Sequence, residues 1–137
     1  MVSLFEKSDT VFAFFRIAVA LLFLQHGLQK IFGLLGGING QGLQAPLFSL
    51  PWWAGSIEII VGVGLALGIF IRPLSFLGAA EMLAAYFIAH ASQDIFPIIN
   101  RGELALLYFL SFILLMFYAP RTYSISDVFQ TNKRRQG

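Results

Sequence analysis

The chain has 137 residues, of which 58% are hydrophobic, 15% aromatic and only 12% charged, with a formal net charge of +2. A soluble domain carries about 25% charged residues, and a globule this small cannot cover its surface with so few charges. Most soluble folds are therefore excluded, as is intrinsic disorder, which needs low hydrophobicity. The length argues for one domain. With no cysteine, disulfides, thiolate metal sites and thiol catalysis are ruled out. The basic residues are scattered apart from Lys133, Arg134 and Arg135, so the small positive charge points to a membrane surface and not to nucleic acid.

A helix needs about 20 residues to cross a hydrocarbon core about 30 Å thick, and four apolar stretches fit. The first runs from about Val11 to Gly33, after Ser8 and Asp9 as expected caps. The second covers about Trp52 to Ile71. The third follows Arg72-Pro73 and runs over about 74–92, with proline suited to a first helical turn. The fourth covers about 102–118 and is stopped by Ala119-Pro120. None shows the period-2 alternation of a barrel strand. The expected fold is all-α, an integral membrane four-helix bundle in a single domain, with a basic interfacial tail over 121–137. The first apolar run is too long for a signal peptide, is interrupted by Arg16 and lacks a small-x-small cleavage site ahead of a mature domain, so it is expected to stay as a helix.

Lys7, Arg72, Arg121, Lys133, Arg134 and Arg135 fall on one side of such a bundle, against Lys30 and Arg101 on the other. By the positive-inside rule both termini are expected in the cytoplasm. The outward connections are then a glycine-rich loop from about Leu34 to Pro51 and a short turn from Gln93 to Arg101, with Trp52 and Trp53 as an interfacial belt. The run Gly36-Gly37-Ile38-Asn39-Gly40-Gln41-Gly42 shares only its glycines with phosphate-binding loops, since no lysine-serine pair or soluble helix follows it.

Seven ionisable residues fall within the spans or at their ends: Arg16, His26, Lys30, Glu58, Glu81, His90 and Glu103. A central Arg, Lys or Asp costs about 2.5–3.5 kcal/mol on insertion scales, so such residues face partners or cavities. By depth, Arg16 and Glu81 form an expected structural ion pair in the cytoplasmic half. His26, Lys30, Glu58 and Glu103 form an expected cluster in the outer half and are the candidate catalytic residues. At about 100° per residue, Arg16, His26 and Lys30 share one stripe of the first helix, and Glu58, Gly62 and Leu65 share a face of the second. Glu81 and His90 differ by about 180°, so they do not both point inward on a straight helix. That geometry argues against a haem held between His26 and His90, and His90 is expected to snorkel to the interface. No sequence-local metal motif is present. Gly64 and Gly68, with the Ala84–Ala91 region of the third helix, are small residues suited to close helix contacts.

Arg16-Ile17, His26-Gly27-Leu28-Gln29-Lys30-Ile31-Phe32-Gly33, the series Glu58, Gly62, Leu65, Gly68 and Arg72, and Asn100-Arg101-Gly102-Glu103-Leu104-Ala105-Leu106-Leu107-Tyr108 together resemble the DoxX family of small four-helix bacterial membrane proteins. The ending Tyr123-Ser124-Ile125-Ser126-Asp127 is similar to the family's Tyr-Ser-Leu-Asp, and the likeness runs over nearly the whole chain. Two departures stand out. The family's Asn-Gly-Gly-Glu reads Asn-Arg-Gly-Glu here, and its Gly-Pro-Gly reads Ala119-Pro120-Arg121. Neither removes an ionisable residue; both reduce backbone freedom at a turn.

The resemblance implies a bacterial inner-membrane, multi-pass protein in a redox context, because members are linked to thiosulfate:quinone oxidoreductase subunits and to membrane redox or detoxification complexes. Two functions follow as expectations. One is a membrane subunit of a quinone-linked redox complex, with His26 and Lys30 donating hydrogen bonds to a quinone-like head group and Glu58 or Glu103 exchanging protons. The other is a non-catalytic scaffold of a larger membrane complex, or a homo-oligomer, in which the charges serve helix packing alone.

Overall fold

In the computed structural model the described residues are 4–118, with side chains from Ser8 onward. The expected stop at Ala119-Pro120 and the basic tail over 121–137 lie outside them. Helix α1 spans Leu4–Phe32, α2 Leu50–Leu67, α3 Ile71–Ala89, the short α4 Pro97–Asn100, and α5 Glu103–Tyr118. Among the described residues there is no strand, only an isolated bridge between Gly37 and Leu43. The fold is all-α. Three helical stretches, Ser8–Phe32, Leu50–Leu67 and Ile71–Ala89, are long and apolar enough to cross a bilayer, and Glu103–Tyr118 adds a shorter apolar helix of 16 residues.

Local chemistry explains where these helices stop. Ser8 and Asp9 lie inside α1, because nothing between Leu4 and Thr10 breaks a helix. Ser49 caps α2, its side chain accepting from the Trp52 N–H at 3.4 Å, with Pro51 in the first turn. The α2 helix ends at Leu67, short of the expected Ile71. Gly68 adopts φ 72° and donates to Leu65 O at 3.1 Å, while the Ile69 N–H returns to Gly64 O at 2.8 Å. This is a Schellman terminator, and only glycine takes that left-handed position without strain. Gly68 is thus a helix stop and not the helix-packing residue its spacing suggests. Pro73 sits in the first turn of α3, where backbone N–H groups have no intrahelical partner to lose.

The helices pack as two antiparallel pairs, α1 with α2 and α3 with α5, joined mainly through α2 and α3. Small residues set the first pair. A Cβ on Gly62 would stand 2.8 Å from Leu24 Cβ and 3.0 Å from Ala20 O, and one on Gly55 would stand 2.8 Å from Lys30 Cβ. In the second pair a Cβ on Gly78 would meet the Phe112 ring at 2.8 Å. The centre is aromatic. Phe23 of α1 meets Phe112 edge-on at 4.7 Å and Tyr108 at 5.1 Å, and Val61, Leu65 and Leu115 close around them. Most other large apolar side chains face outward, including Phe14, Ile60, Phe76 and Phe87. That inversion is what a lipid environment requires.

Gly62→Val is expected to destabilise the protein by about 1–3 kcal/mol, because overpacking forces α1 and α2 apart. Val63→Ile, on the exposed neighbouring position, should stay within about 0.5 kcal/mol of the parent. Thermal unfolding in detergent micelles checks the contrast.

Candidate functional site

Lys30 and Glu58 meet because their helices are antiparallel. Side chains lean toward the N-terminus of their own helix, so Lys30, near the end of α1, leans into the bundle, and Glu58 leans from mid-α2 toward it. Lys30 Nζ and Glu58 Oε1 form an ion pair at 2.5 Å, with Glu58 2% exposed and Lys30 25%. Gly55 lies between them on the α2 surface, and any larger residue there would displace the lysine stem. The expected face of Glu58, Gly62 and Leu65 is indeed buried.

Glu81 joins this cluster. Glu58 and Glu81 each lie eight residues in from the end of their helix nearest the 33–49 loop, about 12 Å at about 1.5 Å per residue. Glu81 is within electrostatic reach of Glu58 and Lys30. Both of its carboxylate oxygens are buried, and neither they nor Glu58 Oε2 has a hydrogen-bond partner among the described residues. Glu81 therefore accepts no hydrogen bond from Arg16, the partner its depth suggests, although Arg16 is itself fully buried on α1.

Two aromatic groups complete the surroundings. Half-buried His26 is within electrostatic reach of Lys30 and packs edge-on against Tyr108 at 5.7 Å. Tyr108, 8% exposed, is within electrostatic reach of Glu58. Its place in the cluster has no charge signature in the sequence, only a hydroxyl amid the phenylalanines of α5. Glu103, expected in the cluster, instead opens α5 at an exposed position.

His90 lies at the end of α3 and belongs to a different network. Its Nδ1 stands 2.9 Å from Asn100 O. Asn100, 1% exposed, donates to Asp94 O at 2.8 Å and accepts from the Gly102 N–H at 2.7 Å. These bonds tie the 90–102 connection to α3 and the start of α5. His26 and His90 thus engage separate neighbours.

The cluster's composition limits its chemistry. Lys30 pairs with Glu58 while Glu81 lies within its electrostatic reach, and a buried acceptor without a donor costs about 1–3 kcal/mol, more when charged. Such a site favours a bound proton or a ligand that brings O–H or N–H donors. Lys30 supplies a donor of its own, since an ammonium has three. Among the described residues no group of three or more His, Asp or Glu is arranged to hold a metal ion.

A family model described as DoxX matches residues 11–91, which include α2, α3 and nearly all of α1. The chain belongs to the DoxX family. It is also similar to an uncharacterised protein of Haemophilus influenzae, 37% identical over 124 residues, covering 85% of this chain and 89% of the relative. No solved structure matches. The matched segment contains Arg16, His26, Lys30, Glu58 and Glu81, and the DoxX family is associated with membrane redox-related roles. With its apolar helices, this DoxX protein is a membrane protein whose surroundings are the lipid bilayer.

Removing one partner of a buried ion pair leaves an uncompensated charge and costs about 3–5 kcal/mol. Lys30→Met is expected to lower stability by about that amount, and Lys30→Met combined with Glu58→Leu should recover most of it. Losses that simply add in a double-mutant cycle in lipid nanodiscs would contradict a coupled pair.

Proposed function

We propose that this DoxX protein is the membrane subunit of a redox complex in a bacterial inner membrane, and that its buried cluster binds a quinone head group. The observation that carries the reading is the set of buried carboxylate oxygens without donors among the described residues, Glu58 Oε2 and both oxygens of Glu81, within electrostatic reach of the Lys30 ammonium. A quinone carbonyl accepts a hydrogen bond, which Lys30 or protonated Glu81 can donate. The quinol formed on reduction presents O–H donors, which the same carboxylates accept. His26 and Tyr108 supply flat walls and further polar atoms at the edge.

The reaction balances when the roles are divided. Reduction of a quinone takes two electrons and two protons, and the electrons come from a redox centre on a partner subunit. This chain holds the head group and moves protons, with Glu81 as the carrier inside the bundle and Glu58 held in place by Lys30. Glu103, exposed at the start of α5, is an entry point for protons from the loop end. Arg72, at the start of α3 and so at the opposite end of the bundle, favours a cytoplasmic location for that end. In the scaffold reading the buried charges, Arg16 and Glu81 among them, only fix packing.

Glu81→Gln removes a proton carrier while keeping the side chain's size. It is expected to abolish quinone copurifying with the protein, or to lower quinone-dependent electron transfer by about 10²-fold or more, with thermal stability retained. Quinone content by extraction and chromatography, measured beside the unfolding midpoint, checks this. Unchanged quinone content and activity in Glu81→Gln and His26→Ala would leave the scaffold as the function.

A further inference from the structure

Between Lys30 and Glu58 the sequence carries no charged residue. The connection inside that stretch, residues 33–49, is nevertheless folded. Gly42 donates to Gly36 O at 2.8 Å, Ile38 donates to Leu43 O at 2.9 Å, and Asn39 Oδ1 accepts from the N–H groups of Gln41 and Leu43. The loop is also fastened to the end of α1, where Ala45 donates to Lys30 O at 2.7 Å and Gln44 to Phe32 O at 3.3 Å. Gly33 and Gly37 have positive φ, and a Cβ at either would run into Gly42 or Leu43 backbone, so the fold of this segment depends on glycine.

A folded loop with its backbone bonded to itself would ordinarily turn apolar side chains inward and polar ones to water. Here Leu35 is 66% exposed, Leu47 73% and Phe48 71%. The connection between α3 and α5, at the same end of the bundle, does the same, with Ile95, Phe96 and Ile98 all exposed. The charged side chains of this connection flank its apolar run over residues 95–99: Asp94 precedes it, its Oδ1 accepting from the Phe96 N–H at 2.8 Å, and Arg101 follows it, with Glu103 opening α5.

We infer that both connections are seated in the bilayer, at the boundary between acyl chains and headgroups, and are not water-facing loops. The occupant of their apolar surface is lipid. The exposed side chains of the first connection continue the lipid-facing surface of the helices through Phe32, Leu50 and Trp53 without a charged break, and those of the second form an apolar run between Asp94 and Arg101. The internal hydrogen bonds of the 33–49 loop satisfy backbone groups that water does not reach at that depth, the condition for non-helical backbone in a membrane. Trp52 and Trp53, in the first turn of α2 beside Phe48, mark the boundary. The inference does not depend on what the buried cluster binds. Its consequence for that cluster is that the end near Lys30 is closed by a lipid-seated loop, so a ligand reaches it sideways from the bilayer.

Tryptophan fluorescence of the full chain in phosphatidylcholine vesicles tests this. In a Trp52→Phe, Trp53→Phe background, Leu47→Trp reports on the first connection and Ile98→Trp on the second, and the parent protein's own tryptophans give a reading without added mutations. Seating in lipid predicts blue-shifted emission, strong quenching by lipids brominated high on the acyl chain, and protection from aqueous acrylamide. Red-shifted emission quenched by acrylamide but not by brominated lipid would overturn it. So would residues that are accessible to water in vesicles but protected in native membranes, since a protein partner would then be the occupant.

Discussion

The contact on which the rest of this molecule depends is the ion pair between Lys30 and Glu58. It joins two antiparallel helices by side chains that lean toward one another, in a medium where either charge alone is costly. The glycines at positions 55 and 62 allow the approach, the first beside Lys30 itself and the second one turn below Glu58. Small residues bring the helices together without a large apolar gain, since lipid is as apolar as a helix surface. A specific polar contact then selects which register the small residues serve.

The same pair creates the site's tension. The one ammonium is bound to Glu58, and Glu81, brought in on α3 within its electrostatic reach, has no hydrogen-bond donor among the described residues. In a packed core this is an expensive arrangement, and structures keep such groups where a ligand or proton completes them. The aromatic centre formed by Phe23, Tyr108 and Phe112 gives that end of the cluster a rigid floor and ties the α1–α2 pair to α5.

Much of the architecture was legible from span length and composition. Four helical segments, the α1 stripe containing fully buried Arg16, and the α2 face containing Glu58 all follow from an apolar count and a helical wheel. Lys30 and Glu58 fall in the same half of the bundle by depth alone. Glu81 was harder to place because it sits near the midpoint of α3, where counting from either end gives nearly the same depth and its neighbour is decided by rotation and helix arrangement. Glu103 has the right depth but the wrong face, and depth says nothing of azimuth. Tyr108 carries no charge and stands in a helix rich in phenylalanine, so only packing reveals it. The ends of α2 followed local rules that the apolar count overlooks, Gly68 stopping the helix through its backbone conformation and Ser49 starting it as a cap.

These features support a protein in which a fixed ion pair holds an incompletely satisfied acid in the middle of a membrane. Infrared difference spectroscopy of the full chain in lipid, recorded between oxidised and reduced quinone, tests that most directly. A carboxyl C=O band that shifts on reduction and vanishes in Glu81→Gln is the predicted result. A difference spectrum with no carboxyl band, or one unchanged in Glu81→Gln, would contradict it.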